Sequence, residues 1–221
     1  MKNLFCSMKK IIKNILLRHG YSLNKLPNWK IDFAESELKL RFDHIISYSM
    51  LKDQNKSLSF IQIGAYDGKS NDPIFRYVTQ YEWRGVLVEA QKYAFDLLVK
   101  NYSGFNNLCF ENLAIGKSNL QFAFYKIKDY IPGLPEWSKR VASFYPDIIA
   151  KNSLLPKDEN IVEQITVECI SFETLVEKYN IKNLDLLQVD AEGFDYEIIK
   201  MIDFNKIKPS IIHFDHKHCH L

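Results

Sequence analysis

Two acidic residues in this sequence each stand at the end of a short apolar run. Glu89 follows residues 86–88, and Asp190 follows residues 184–189. Apolar runs of this length predict buried strands, and ligands of open α/β sheets bind beyond the ends of such strands. A carboxylate in that position can accept hydrogen bonds from hydroxyl groups or orient a reacting group. The two acids therefore predict a small-molecule site at one edge of a sheet.

The elements around Glu89 have the order of a nucleotide-binding βαβ unit. Residues 58–63 predict a first strand, and residues 64–68 form a turn that begins and ends with glycine. Asp72 and Pro73 predict the start of a helix, with Asp72 as its N-cap. That helix leads to the strand that ends at Glu89. In such units the start of the helix faces the ligand, and the acid accepts hydrogen bonds from ribose hydroxyls.

The spacing of the glycines narrows the choice of ligand. A dinucleotide-binding fingerprint that starts at Gly64 needs glycine at position 66 and glycine or alanine at position 69, where this chain has Tyr66 and Lys69. The chain also lacks the Gly-Lys-Ser/Thr of a P-loop. A ligand with adenine and ribose but no phosphate fits better, and we predict S-adenosylmethionine as the cofactor. The alternative is that Gly64 and Gly68 only shape a tight turn.

The composition indicates one globular domain without a strong preference for charged partners. The chain has 221 residues, of which 47% are hydrophobic and 14% aromatic, enough for a full core. Its 29 basic and 27 acidic residues give a net charge of +2, which argues against a nucleic-acid-binding protein. The four cysteines form no Cys-x-x-Cys pair. Cys109 and Cys169 lie in predicted strands, so we expect buried thiols in the reducing cytoplasm.

Residues 2–18 predict an amphipathic helix with one apolar and one basic face. The basic face holds four lysines and one arginine. Lysines interrupt the apolar run, so the segment predicts neither a transmembrane span nor a signal peptide. Such a helix either packs on its own domain or on a second subunit, or lies on the inner face of an anionic membrane.

The later part of the chain predicts further strands separated by one long insertion. The predicted strands are residues 108–111, 121–127, 164–170, 184–189 and 211–215, and the predicted helices include residues 38–51 and 194–204. Residues 129–160 are the least regular stretch, with four prolines and several aromatic residues. A long loop in a compact domain is commonly a lid or a binding loop, and its aromatic residues argue against disorder. We therefore expect this insertion to face the substrate.

Three motifs together resemble the FkbM family of S-adenosylmethionine-dependent methyltransferases. They are Ile-Gly-Ala-Tyr-Asp-Gly at 63–68, Gly-Val-Leu-Val-Glu at 85–89 and Asp-Leu-Leu-Gln-Val-Asp-Ala-Glu-Gly at 185–193. The Asp-x-Glu-Gly signature after a late strand is typical of that family, and the similarity covers residues 57–218. The resemblance implies O-methylation of a hydroxyl on a sugar, glycan or natural-product acceptor.

The resemblance also assigns site residues by position. The positions implied for the cofactor are Gly64, Ala65, Tyr66, Asp67, Gly68, Asp72, Glu89, Asn112, Leu113, Ala114 and Asp190. Glu89 would hold the ribose hydroxyls, and residues 112–114 would border the adenine. Asp190 would lie near the transferred methyl group. Gln62 stands where such proteins often have an acid, which removes at most one contact to the amino group of the cofactor.

Two acids and a histidine form the predicted catalytic set: Asp190, Glu192 and His216. Glu192 either positions the acceptor or caps the next helix at its N-terminus. His216 could act as general base for the acceptor hydroxyl, because imidazole titrates near neutral pH.

Three further residues are predicted to contact the substrate: Trp137, Ser143 and His213. We predict no metal, because no ligand spacing is diagnostic. The weaker alternative is a metal ion bound by Asp190, His213, Asp215 and His216.

The sequence as a whole predicts an α/β fold of the class I methyltransferase type, a Rossmann-like three-layer sandwich around a mostly parallel sheet. We divide the chain into an N-terminal helical segment (1–56) and a methyltransferase domain (57–221) with a lid near 129–160. A full sheet of this type has two more strands after residues 211–215. We therefore expect either a truncated form that lacks these two strands, or a sheet edge covered by the N-terminal segment or by a partner, and hence an oligomer or a weakened or lost activity. The alternative function is a catalytically weak or inactive cofactor-binding module that serves in an assembly.

Overall fold

The computed structural model of the chain describes residues 41–52, 57–129, 131–151 and 161–215. The predicted amphipathic helix at residues 2–18 and the C-terminal residues from His216 onward lie outside these ranges. In the part that is described, no helix is long and apolar enough to cross a lipid bilayer.

Most of the predicted strands and helices are present, with shifted ends. The strands are β1 (Ser59–Ile63), β2 (Arg84–Val88), β3 (Leu108–Glu111), β4 (Ala114–Ile115), β5 (Gln121–Ile127), β6 (Ala142–Ser143), β7 (Val162–Ile170), β8 (Leu186–Val189) and β9 (Ile211–Phe214). The helices are α1 (Phe42–Lys52), α2 (Phe75–Tyr81), α3 (Lys92–Asn101), α4 (Pro146–Lys151), α5 (Phe172–Lys178) and α6 (Asp195–Lys200), and a 3₁₀ helix covers Glu136–Arg140.

The central sheet contains β1, β2, β3, β8 and β9, all parallel to their neighbours. Their order across the sheet is β3-β2-β1-β8-β9. Both β1 and β8 are almost completely buried, as the continuous apolar runs in their sequences predicted. On one side of β1 the chain adds β2 and then β3. On the other side it adds β8 and then β9. This reversal of strand order leaves a crevice at the carboxyl ends of β1 and β8.

Helices cover both faces of the central sheet. On one face, side chains of β1 and β8 pack against α1, α2 and α3. On the other face they pack against α5 and α6. Because successive strand residues point to opposite faces, Phe60 and Gln62 face the α1–α3 layer, whereas Ile61 and Ile63 face the α5–α6 layer. The sheet is thus sandwiched between helices, as expected for an α/β fold.

Helix α1 belongs to the same hydrophobic core as the central sheet. Its Ile46 is fully buried among residues of that core. The ring of Phe42, its first residue, lies 4.4 Å from the ring of His213 on the edge strand β9. The division of the chain at residues 56 and 57 stays a prediction.

A second, smaller sheet has the order β4-β7-β5-β6. Strand β4 is parallel to β7, and β5 is antiparallel to both β7 and β6. The insertion predicted to be irregular at 129–160 is in fact partly regular, because it contains the 3₁₀ helix, β6 and α4. Pairing of β6 with β5 accounts for this regular structure, because it attaches the middle of the insertion to a strand of the second sheet.

Three local predictions are wrong. Cys169 is buried, but Cys109 is exposed because it lies on β3 at the edge of the central sheet. The helix after the glycine turn begins at Phe75 rather than at Pro73. Helix α6 ends at Lys200, four residues before the predicted end, and Met201 is its C-cap.

Candidate functional site

A cleft opens at the carboxyl ends of β1, β2 and β8. Its walls come from the loops after these strands and from the second sheet. Nine of the predicted site residues line it: Gly64, Ala65, Tyr66, Asp72, Glu89, Leu113, Ala114, Asp190 and Glu192. Six others are not among its lining residues: Asp67, Gly68, Asn112, Trp137, Ser143 and His213. His216 lies outside the described residues.

The loop after β1 joins three strand ends by close backbone contacts. The N–H of Gly64 donates to the carbonyl of Val88 at 3.0 Å. Gly64, Tyr66 and Gly68 all have positive φ, at +76°, +49° and +65°. A Cβ on Gly64 would lie 1.9 Å from the carbonyl oxygen of Asp190. Only glycine permits this contact, which brings the ends of β1 and β8 together.

Asp67 and Gly68 shape the turn rather than the cleft. Asp67 Oδ1 accepts hydrogen bonds from the backbone N–H groups of Lys69 at 3.0 Å and Ser70 at 2.8 Å. A Cβ on Gly68 would lie 2.4 Å from the side chain of Leu98 on α3. Gly68 therefore allows α3 to pack closely against the turn.

Glu89 is a buried acid at the floor of the cleft, with 6% of its surface exposed. Its Oε2 accepts a hydrogen bond from the N–H of Tyr66 at 2.7 Å, and its Oε1 accepts one from the N–H of Gln91 at 2.8 Å. Burial raises the pKa of Glu89 to about 7 against the effect of these hydrogen bonds, and the charge of nearby Asp190 adds to the rise. A carboxylate has about four acceptor positions, so Glu89 retains capacity for hydroxyl donors.

The residues predicted to border an adenine, 112–114, have two different roles. Asn112 supports the backbone of a neighbouring loop, and the other two form an apolar wall of the cleft. Asn112 Nδ2 donates to the carbonyls of Glu89 at 2.9 Å and Ala90 at 3.2 Å, and so fixes the loop that carries Glu89. Leu113 and Ala114 are both buried and line the cleft together with Phe124. Such a wall suits a flat heteroaromatic ring.

A fully buried carboxylate that we did not predict as a site residue holds the loop after β8. Asp195, the first residue of α6, accepts hydrogen bonds from the N–H of Ala191 at 3.1 Å and the N–H of Gly193 at 3.0 Å. Burial raises the pKa of Asp195. The N-cap residue of α6 is Phe194 rather than Glu192, and Asp195 instead fixes the loop that precedes the helix; its signal in the sequence was an acid in the first turn of a helix. Glu192 itself has φ +43°, an uncommon value for a side-chain-bearing residue.

Ser143 connects the insertion to this acidic loop. Its side chain is completely buried, and its Oγ donates to the carbonyl of Glu192 at 2.7 Å. The same oxygen accepts from the N–H of Tyr145 at 3.1 Å. Trp137, the other residue of the insertion predicted to contact substrate, packs in an apolar cluster with Ile149. The insertion instead contributes Arg140, Ala142 and Phe144 to the lining of the cleft.

Arg140 is a cleft residue that sequence reasoning missed. It ends the 3₁₀ helix, and its guanidinium lies 5.3 Å from the centre of the Tyr66 ring, a cation–π contact. Its buried Nε has no hydrogen-bond partner among the described residues. No motif surrounds Arg140 in the sequence, so only the fold of the insertion could reveal its position.

Three polar side chains stand in one row across the central sheet. Gln62 pairs in register with Gln188, and Gln188 with His213. Gln62 and Gln188 are buried and line the cleft. His213 lies on the next strand, β9, and is not a lining residue of the cleft. Its Nδ1 is hydrogen-bonded to Gln188 Oε1 at 2.5 Å. Within the part of the chain that is described, no group of three or more His, Cys, Asp or Glu side chains could hold a metal ion.

The parallel sheet and the acidic cleft at its strand ends define an α/β protein whose cleft lies at the switch point of its strand order, the place where open α/β sheets commonly bind ligands. The family model described as the methyltransferase FkbM domain matches residues 62–220 of this chain. The chain belongs to the FkbM methyltransferase family, and its fold is a methyltransferase-like α/β fold. The resemblance drawn from the three motifs is thereby confirmed. A search of curated proteins and a search of solved structures each find no match.

Proposed function

We propose that this chain is an S-adenosylmethionine-dependent methyltransferase of the class I type, and that it methylates a hydroxyl group. The proposed acceptor class is a sugar, a glycan or a natural product. The observation that carries the proposal is Glu89, a buried carboxylate that ends β2 and lies beside the glycine turn in a chain of methyltransferase family. The strand order β3-β2-β1-β8-β9 supports the class I assignment.

The residues of the cleft fit this cofactor. Glu89 can accept hydrogen bonds from both ribose hydroxyls, and the wall at Leu113, Ala114 and Phe124 suits the adenine. Gln62 Oε1 is buried and lacks a hydrogen-bond partner among the described residues, so it can accept from a ligand N–H. The cofactor, when bound, supplies an electrophilic methyl group on a sulfonium.

The chain itself contributes orientation and proton transfer. Asp190 and Glu192 line the cleft on a backbone that Asp195 and Ser143 hold in place. A carboxylate so held can orient an acceptor hydroxyl or take up its proton. Phe144 lines the same cleft and contributes apolar surface to its wall. His216 as general base stays a prediction from the sequence.

The decisive experiment is titration calorimetry of S-adenosylhomocysteine on the wild type and on Glu89→Ala. Loss of a hydrogen-bonded charged partner should weaken binding about ten- to a hundred-fold. Glu111→Gln is the matched control. Glu111 ends the neighbouring strand β3 and is similarly buried, but it bonds to Tyr179 and does not line the cleft. Wild-type affinity in Glu89→Ala would refute the assignment.

Methyl transfer needs a separate assay with cofactor labelled in its methyl group and a panel of hydroxyl acceptors. Incorporation of label into a hydroxyl of one acceptor class would support O-methylation. Tight cofactor binding without transfer to any acceptor would favour the alternative of a non-catalytic binding module.

A further inference from the structure

Arg140 brings a positive charge into a cleft whose other charged lining residues are acids. Among the described residues that line the cleft, it is the one basic side chain, beside Asp72, Glu89, Asp190 and Glu192. A guanidinium stays protonated in proteins. The cleft can therefore recognise a negatively charged group at one place only, the position of Arg140.

The backbone on both sides of Arg140 is fixed. Ser138 and Val141 are buried, and the N–H of Val141 donates to the carbonyl of Ser138 at 3.1 Å. The carbonyl of Lys139 accepts a hydrogen bond from Nε2 of Gln91 at 3.3 Å, which attaches the 3₁₀ helix to the start of α3. Arg140 therefore has a defined position in the wall of the cleft.

The guanidinium of Arg140 is held by an aromatic ring and not by an acid. Its centre lies 5.3 Å from the centre of the Tyr66 ring, and the N–H of Tyr66 is bonded to Glu89 at 2.7 Å. Within the part of the chain that is described, Nε of Arg140 is buried without a hydrogen-bond partner, and no carboxylate forms an ion pair with this side chain. A buried donor without an acceptor is costly. An acceptor atom on a ligand would remove that cost.

The neighbouring cation, Lys139, is arranged differently. Its Nζ bonds to both carboxylate oxygens of Glu136 at 3.0 Å and lies 6.0 Å from the centre of the Tyr93 ring. It does not line the cleft. Of these two adjacent cations, one is neutralised outside the cleft and the other faces into it without an acidic partner among the described residues.

We propose that Arg140 binds an oxyanion on the acceptor, either a carboxylate or a phosphate, and so selects acidic sugars over neutral ones. The planar fork of a guanidinium matches two oxygens of such a group. S-adenosylmethionine carries one net positive charge, so an unpaired cation suits the acceptor better than the cofactor. The acids of the cleft repel the same oxyanion, which directs it toward the insertion. This inference rests on the proposed function, because it names the acceptor class of the same site.

The test measures acceptor binding by titration calorimetry on the full chain saturated with S-adenosylhomocysteine. The probes are the methyl glycosides of glucose, galactose and mannose, each as the neutral sugar, as the uronic acid and as the 6-phosphate. The wild type should bind at least one anionic form about ten- to a hundred-fold more tightly than its neutral parent, as expected for a charged hydrogen-bonded pair. The preferred form identifies the oxyanion as a carboxylate or a phosphate.

Three variants separate the charge of Arg140 from its shape and its position. Arg140→Met removes the charge and should lose the preference for the anionic form, while it binds the neutral form like the wild type. Arg140→Lys keeps the charge without the planar fork and should retain part of the preference. Lys139→Met, the matched control, removes a cation outside the cleft and should keep the whole preference. All three variants should bind S-adenosylhomocysteine like the wild type, which also shows that they are folded.

The contrary outcomes are distinguishable from one another. If the wild type prefers no anionic form, or if Arg140→Met or Lys139→Met gives the opposite of the result expected for it, the inference is overturned and the proposed function stays intact. Weaker binding of S-adenosylhomocysteine by Arg140→Met, with unchanged binding of 5′-methylthioadenosine, would assign Arg140 to the cofactor and also overturn the inference. A wild type that does not bind S-adenosylhomocysteine would overturn the proposed function, and this inference with it.

Discussion

The carbonyl oxygen of Asp190 occupies the space in which a side chain on Gly64 would have to lie. A Cβ built on Gly64 falls 1.9 Å from that oxygen, and the φ of Gly64 is +76°. The glycine turn after β1 and the acidic loop after β8 are therefore in direct backbone contact. A change at Gly64 must displace one of the two loops that form the cleft.

Gly64→Ala should destabilise the protein and open the cleft. Gly133→Ala is the matched control, because Gly133 has a similar φ of +85° but no atom of the described residues within 4 Å of its Cβ position. The left-handed backbone costs both variants about 1 kcal/mol, and the clash should cost Gly64→Ala roughly 2 kcal/mol more. Urea unfolding gives both free energies. Equal losses in the two variants would show that the contact with Asp190 is unimportant for stability.

Cofactor affinity should depend on pH through Glu89. Its pKa is raised to about 7, mainly by burial, and only the ionised carboxylate accepts hydrogen bonds from both ribose hydroxyls. Affinity for S-adenosylhomocysteine should therefore rise about ten-fold between about pH 6 and pH 8, as the ionised fraction rises. Glu89→Gln should bind more weakly and show a flat profile. The same rise in Glu89→Gln would assign the pH dependence to another group.

The raised pKa of Glu89 also has a consequence for stability without ligand. The folded value of about 7 exceeds the ordinary value of 4.5, so the folded state binds the proton more tightly than the unfolded state does. The contribution of Glu89 to stability is present in full below pH 4.5 and is lost as pH rises through 7. As the pH rises from 4.5 to above 7, the unfolding free energy of the wild type should therefore fall relative to that of Glu89→Gln. A constant difference would contradict the raised pKa.

Asp190→Asn should separate catalysis from binding. The side chain lines the cleft, and the backbone of this residue is held by the N–H bond that it donates to Ile63 at 2.9 Å. The variant should fold and bind S-adenosylhomocysteine within a few-fold of wild type but transfer methyl groups at least about ten-fold more slowly. Asp203→Asn, at an exposed site outside the cleft, is the control and should keep full activity. Undiminished transfer in Asp190→Asn would remove Asp190 from the mechanism.

Ser143→Ala should loosen the acidic loop after β8, to which Ser143 is hydrogen-bonded from the insertion. It removes the hydrogen bond to the carbonyl of Glu192 and should cost about 1–3 kcal/mol. Methyl transfer should fall more than cofactor affinity, because the loop carries Glu192. Ser171→Ala removes an N-cap hydrogen bond to the N–H of Thr174, away from the cleft. It should cost about 1 kcal/mol and leave transfer unchanged. Equal transfer by the two variants would argue against this link.

The sequence was most informative where local chemistry decides the structure. The buried runs that became β1 and β8 were visible because parallel strands covered on both faces are apolar without interruption. Caps are local in the same way: Ser171 is the N-cap of α5, and its Oγ accepts from the N–H of Thr174 only three residues further on.

Residues whose role depends on strand register were not predictable in the same way. Gln62, Gln188 and His213 meet only because three strands from distant parts of the chain align. Arg140 meets Tyr66 across 74 positions of sequence only through the insertion. Cys109 is exposed because β3 is an edge strand, which depends on the order of the whole sheet.

The central pairing of β1 with β8 also sets the time at which the cleft can form. Ser59 bonds to Asp185 across 126 positions of sequence, so the middle of the sheet closes only after a very long loop has been ordered. During synthesis, the glycine turn and Glu89 emerge well before Asp190 and Gln188. The nascent chain must therefore hold an unpaired edge of β1 until β8 has been synthesised. The complete cleft cannot form on a partial chain, so a ligand that binds there would stabilise the finished fold and not the intermediates that precede it.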